Sequence, residues 1–174
     1  WATTIKRVLE AVTAYLPWGL AFMLLLFILG QLQVHHIYHW MLSGVADPNS
    51  PNYDSVIAAK IGYFGIFWWV RTILYMIGWW WFTNKLVKNS READALDVDV
   101  NNSYHWKNVK LSAWFMVLFA VTSSTSSWDW VMSIDTHWFS TLFGWYIFSG
   151  MWVSAIIATI VLIIWLKKLG HLEF

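Results

Sequence analysis

Four stretches of the chain are apolar over about 20 residues, the length a helix needs to cross a bilayer's hydrocarbon. They cover residues 15–34, 61–82, 109–127 and 141–166. The first centres on GLAFMLLLFILG, and the second reads IGYFGIFWWVRTILYMIGWWWF. The pattern predicts four membrane-spanning helices, an all-α polytopic bundle forming a single membrane domain over residues 1–174. The polar breaks carry turn chemistry: ADPNSPNYD after the first span, NSREADALDVDVNN after the second, and SSTSSWDWVMSIDTHW between the third and fourth. The acidic run Glu92–Asp99 reads as a solvated loop, and the amphipathic stretch before Pro17, with Glu10 in it, does not read as a signal peptide. A chain beginning with Trp1 and ending at Phe174 reads as a central piece of a longer subunit.

Composition agrees with lipid as the solvent. Hydrophobic residues make up 59% of the 174 residues and charged residues 12%, against about a quarter charged in a soluble domain. A net charge of +1 argues against a nucleic-acid partner. The absence of cysteine excludes disulfides, covalent c-type haem and Cys-ligated iron–sulfur or zinc sites within this chain. Basic residues orient the bundle. Lys6, Arg7, Lys85, Lys88, Arg91, Lys107, Lys110, Lys167 and Lys168 all fall on one side, while the other side has only Lys60. The positive-inside bias makes the first side, with both chain ends, cytoplasmic. The histidine-bearing loop after the first span and the Ser–Asp–His segment then face outward. Trp79, Trp80, Trp81 and Trp138 read as interfacial belts.

The polar groups near the outer face carry the candidate chemistry. The run Thr122–Ser127 serves either close helix packing, its hydroxyls bonding carbonyls a turn back, or the wall of a hydrated pocket. Asp129 is either solvated at the interface or functional, and Asp135 either caps the fourth span or forms a second proton exit. If residues 130–137 form a short helix, the i,i+4 spacing places Asp129, Ser133 and His137 on one face. A carboxylate, an imidazole and hydroxyls among aromatic residues suit the oxidation of a quinol, whose two hydroxyls each need a proton acceptor. His39, Trp128 and Trp130 are candidates to line such a quinone pocket. His35 and His39 are also i,i+4, but no other span supplies a facing histidine for a haem, and no metal site is expected. His35 and His36 read as interfacial caps or a titratable cluster along a proton path. Arg71, near the middle of the second span, is either a structural ion pair or carbonyl clamp or a gate or proton-path charge, and it requires a partner inside the bundle: carbonyls or hydroxyls of the third span, or an acid from spans outside this chain.

The block TSSWDWVMSIDTHWFSTLFGWYIFSGMWVSA, with DPNSPNYDSVIAAKIGYFGIFWWVRTILY upstream, resembles the membrane subunits of bacterial alternative complex III. These are subunits of the NrfD (polysulfide-reductase) type, and the resemblance is nearest to the ActF-like kind. It covers most of the chain from about His35 onward. It implies an inner-membrane bundle of about ten spans, helices being the one open backbone form that satisfies itself in lipid. It also implies a quinol:cytochrome c oxidoreductase that uses menaquinone or ubiquinone. The implied partners are an NrfD-like sister subunit, multihaem and monohaem cytochromes c, an iron–sulfur subunit and a terminal oxidase. Haem and iron–sulfur clusters would lie in those partners, and the better-supported quinol site in the sister subunit. Two other readings stand beside this one: a structural scaffold that docks the cytochrome and iron–sulfur subunits, and a proton or ion transporter subunit.

Overall fold

The computed structural model describes residues 2–95 and 103–171. Among the described residues the chain is 77% helical with no strand. It comprises α1 (Ala2–Val12), α2 (Leu16–Gln31), the short α3 (Ser55–Lys60), α4 (Gly65–Asp94), α5 (Ser103–Trp130) and α6 (Phe143–Lys168). Three segments are long and apolar enough to cross a membrane: Ile5–Gln31, Ser103–Ile134 and Phe143–Lys168. The expected second span falls in α4, a helix of 30 residues whose second half is charged and which is not among these three, so the structure supports three of the four expected spans.

Local chemistry sets the helix ends. Pro17 sits in the first turn of α2, where its missing N–H removes no bond. At the other end Gln33 takes a left-handed conformation (φ 62°). The N–H groups of Gln33 and Val34 return to Gly30 and Leu29 at 3.0 Å, which satisfies orphan carbonyls. The Gln33 side chain offsets that strain by donating to the Met41 carbonyl at 2.6 Å. Asp54 caps α3, accepting from the N–H groups of Val56 (2.8 Å) and Ile57 (3.3 Å).

Two helix boundaries differ from the sequence reading. α4 continues past Phe82 to Asp94, so Asn84–Asp94 is helix rather than loop. In its charged tail Lys88 and Glu92 pair at 3.8 Å with i,i+4 spacing. The rest of the expected acidic loop, residues 96–102, lies outside the described residues. α5 begins at Ser103 and runs to Trp130, so the hydroxyl run is fully helical.

The bundle has two distinct ends. At one, α1 meets the end of α4 through an Arg7–Asp94 ion pair. There Leu9, Thr13, Thr83, Leu86, Asn108 and Ser112 line a common pocket. At the other, the segment between α2 and α4 folds into a cap whose interior is aromatic. Trp68 and Phe27 are fully buried in it, with Tyr38, Trp40 and Phe64 around them. Trp40 stacks on Phe64 with centroids 4.8 Å apart, and Phe27 meets Trp68 edge-on at 4.9 Å. α6 lies against α5 where Gly144 allows closest approach: a Cβ there would lie 3.1 Å from the Ser124 Cα. The remaining surface of α6 is almost entirely exposed and apolar.

Candidate functional site

The side chains of greatest consequence lie where α4 and α5 meet below the aromatic cap. Arg71 comes from the second turn of α4 and Asp129 from the last turn of α5. Their ion pair is bidentate: Nε donates to Oδ2 at 2.9 Å and Nη2 to Oδ1 at 2.8 Å. Asp129 is completely buried, and the Arg71 side chain is 14% exposed. Tyr75, one turn after Arg71 and on the same face of α4, donates its hydroxyl to Asp129 Oδ2 at 3.2 Å. The guanidinium also donates to the Tyr63 carbonyl at 3.1 Å and lies over the rings of Tyr63 (4.0 Å) and Phe67 (4.5 Å). The cation thus sits at the C-terminal end of α5, where the helix dipole favours positive charge.

The orphan carbonyls ending α5 find side-chain donors. The indole N–H of Trp68 (2.8 Å) and the Ser133 hydroxyl both donate to the Asp129 carbonyl. The Tyr38 hydroxyl donates to the Trp130 carbonyl at 2.7 Å. Burial pushes the Tyr38 phenol up to about 12, which keeps that donor protonated. Lower on α5, the hydroxyls of Thr122 and Thr125 bond the carbonyls four residues back, Leu118 at 2.8 Å and Val121 at 3.0 Å. Two indoles bridge the seam: Trp79 to the Thr122 hydroxyl (2.9 Å) and Trp130 to the Thr72 hydroxyl (3.1 Å). Trp79 therefore bonds and packs within the bundle.

The expected Asp129–Ser133–His137 face does not form. Only Met132–Ile134 turns helically, as one 3-10 turn, and His137 swings away from Asp129. Its Nε2 lies 3.0 Å from Asp54 Oδ2, which links the α5–α6 loop to the cap. Lys60 adds a second link, Nζ to the Thr136 carbonyl at 2.7 Å. Partial burial pulls the Asp54 carboxyl upward. The N–H groups of Ile57 and Val56, with His137 and His39 nearby, outweigh this and hold it below the ordinary carboxylate value. Asp135 does not cap α6, whose N-cap position is Leu142; instead it accepts from the His137 N–H at 3.0 Å in a local turn. Asp129 is neither solvated nor lining a hydrated cavity, because Arg71 and Tyr75 hold both its oxygens.

The remaining candidates separate. His35 folds back on α2, its Nε2 donating to the Leu26 carbonyl at 2.9 Å, while His36 and His39 are exposed. Among the described residues no group of three or more His, Asp or Glu side chains is arranged to hold a metal. Trp128 and Ser133 line a pocket of about 220 Å3, and Trp130 belongs to the buried seam. Asp54, Tyr75 and Trp68 were missed by sequence reasoning. Asp54 directly precedes a short apolar helix, a cap signal, and Tyr75 stands i,i+4 from Arg71 on a helix face. No family model matches the chain, and no curated protein matches it.

Proposed function

We propose that this chain is a non-haem membrane portion of a quinol:cytochrome c oxidoreductase of the alternative complex III type, contributing a proton-transfer or quinol-linked site at its outer face. In this reading α4 is a fourth crossing. Thirty residues at about 1.5 Å each exceed a hydrocarbon core of about 30 Å. Arg71, the one charged residue between Gly65 and Asn84, is neutralised internally by Asp129. The nine-residue basic side is cytoplasmic, and the quinone, haem and iron–sulfur partners are those named by the resemblance.

The observation that carries the proposal is the buried Arg71–Asp129–Tyr75 set at the end of α5, followed in the chain by the loop whose His137 pairs with Asp54. Charges are costly at this depth, and where they persist they mark proton or substrate pathways. In this reading Asp129, Asp54, His137 and Tyr75 are the groups that would take up and release protons, with Asp129 doing so only when its bonds to Arg71 and Tyr75 open. The test is quinol:cytochrome c turnover by the assembled complex carrying Asp129→Asn or His137→Ala. A tenfold loss with normal subunit content corresponds to about 1.4 kcal/mol of barrier and supports the role.

The scaffold reading also has a specific observation in its favour. Every oxygen of Asp129 is already bonded inside the protein, as a structural clamp would be. The double replacement Arg71→Leu with Asp129→Leu removes both charges together. Wild-type turnover in that variant would establish the clamp and end the proton role.

A further inference from the structure

The Asn89 side chain donates to the Asn108 side chain at 2.9 Å, which sets the first turns of α5 beside the charged tail of α4. Along α5, Trp106, Lys110, Trp114, Val117 and Val121 follow one another at spacings of four, four, three and four, so they form one stripe on the helix. The whole stripe is exposed, Trp106 at 58% and Trp114 at 71%. Lys107, also exposed, flanks it one turn before Lys110. Its Nζ lies over the ring of Tyr104, 4.5 Å from the centroid, and so reaches back toward the start of the helix. The 28 residues of α5, at about 1.5 Å each, run about 42 Å and exceed a hydrocarbon core of about 30 Å. The first turns therefore stand at headgroup level, where lysine stems lie along apolar surface and hold their ammonium groups in the polar layer. Trp114, Val117 and Val121 continue the stripe into the hydrocarbon.

Charge decides what fits this face. The acids described at this end of the bundle are already engaged: Glu10 with Lys6 and Arg7, Asp94 with Arg7, and Glu92 with Lys88. Among the described residues no carboxylate pairs with Lys107 or Lys110. Two ammonium groups without an acid, standing above an apolar stripe, complement a molecule with an anionic head and an apolar tail. We propose that this face of α5 holds an anionic glycerophospholipid. Its phosphate lies between the Lys107 and Lys110 ammonium groups, each of which only donates hydrogen bonds. Trp106 stands at the level of the glycerol backbone, as interfacial indoles do, and one acyl chain follows Trp114, Val117 and Val121. A zwitterionic choline headgroup would bring its own cation to the two lysines and so fits less well. The site rests on α5 as a membrane crossing and is independent of the quinol-linked reading.

The experiment titrates phosphatidylglycerol into the purified, delipidated full-length protein in detergent and reads bound lipid by native mass spectrometry. Phosphatidylglycerol is expected to bind several-fold more tightly than phosphatidylcholine with the same chains. Lys107→Gln and Lys110→Gln should each weaken phosphatidylglycerol about fivefold, as expected for one basic residue near a lipid surface, and leave phosphatidylcholine unchanged. Lys85→Gln removes the same charge from α4 and should change binding less than about twofold. Trp114→Ala should weaken both lipids, and inorganic phosphate should not compete. Equal binding of the two lipids, or an equal loss in Lys85→Gln, would reveal diffuse attraction to a basic end and overturn the site. Displacement by inorganic phosphate would make it a free-anion site and overturn the lipid. A dimer in the same spectra that Trp114→Ala dissolves would mean that a second copy covers the face, which also overturns the proposal. Should a variant misfold, a photoactivatable phosphatidylglycerol on the wild type decides: cross-linking within residues 106–121 supports the site, and cross-linking confined to other segments overturns it.

Discussion

Arg71 and Asp129 form a pair whose members depend on each other. Removing one partner of a buried ion pair leaves an uncompensated charge, at a cost of about 3–5 kcal/mol, while replacing both by apolar residues is often close to neutral. Arg71→Leu and Asp129→Leu are each expected to lower the thermal midpoint of the purified protein sharply, and the double variant to recover most of the loss. Additive losses in the double variant would show that the two side chains act independently. Arg71→Lys should recover only part, because an ammonium cannot reproduce the two parallel N–H···O bonds to Asp129. A partner for Arg71 was legible from its position mid-way along an apolar run. Its identity was not, since 58 residues separate it from Asp129 and no pattern in sequence links them.

Between elements, Gly144 and Asp54 each hold an interface. Gly144 brings α6 against Ser124, and small residues are what lets membrane helices approach in the absence of a hydrophobic drive between them. Gly144→Leu should displace α6 and destabilise by about 1–3 kcal/mol, read by thermal unfolding in detergent; an unchanged midpoint would show that α6 docks elsewhere. Asp54 has two roles, capping α3 and pairing with His137. Asn retains most capping ability, so Asp54→Asn isolates the charge and Asp54→Ala removes both. Because the folded carboxyl lies below its unfolded value of about 4, its contribution is complete above about pH 4 and fades as pH falls through the folded value. The midpoint difference between wild type and Asp54→Asn should therefore be present near pH 6 and shrink on acidification below about pH 4. A difference that grows on acidification would reverse the sign argued here.

For the whole molecule, the described contacts place the α2–α4 cap and the α5–α6 loop at one end, and the start of α1 with the end of α4 at the other. With α4 as a crossing, a cysteine at Asn49 in the cap and one at Lys88 near the end of α4 should react with an impermeant thiol reagent from opposite sides of the membrane. The cap site should label in intact cells and the Lys88 site only after lysis. Labelling of both from outside would remove α4 as a crossing, and the reverse pattern would invert the orientation.

The apolar runs by themselves determined that the chain is helical and lipid-facing, because about 20 apolar residues have few other ways to satisfy their backbone in lipid. The basic asymmetry predicted an orientation, and the bonding of the Thr122–Ser127 hydroxyls to their own helix was open to reading, since both depend on neighbours in sequence. Tertiary structure decided which acid answers Arg71, that His137 joins Asp54 rather than Asp129, and that Asp135 turns back on His137 rather than capping α6. The physical reason is the short 3-10 turn after Trp130. Continued helix would have kept Asp129, Ser133 and His137 on one face, but once Trp68 and Ser133 satisfy the terminal carbonyl, the chain is free to leave the axis. The partners of each polar group are then set by packing around the aromatic cap, which brings together residues far apart in the chain and so leaves no mark in local spacing.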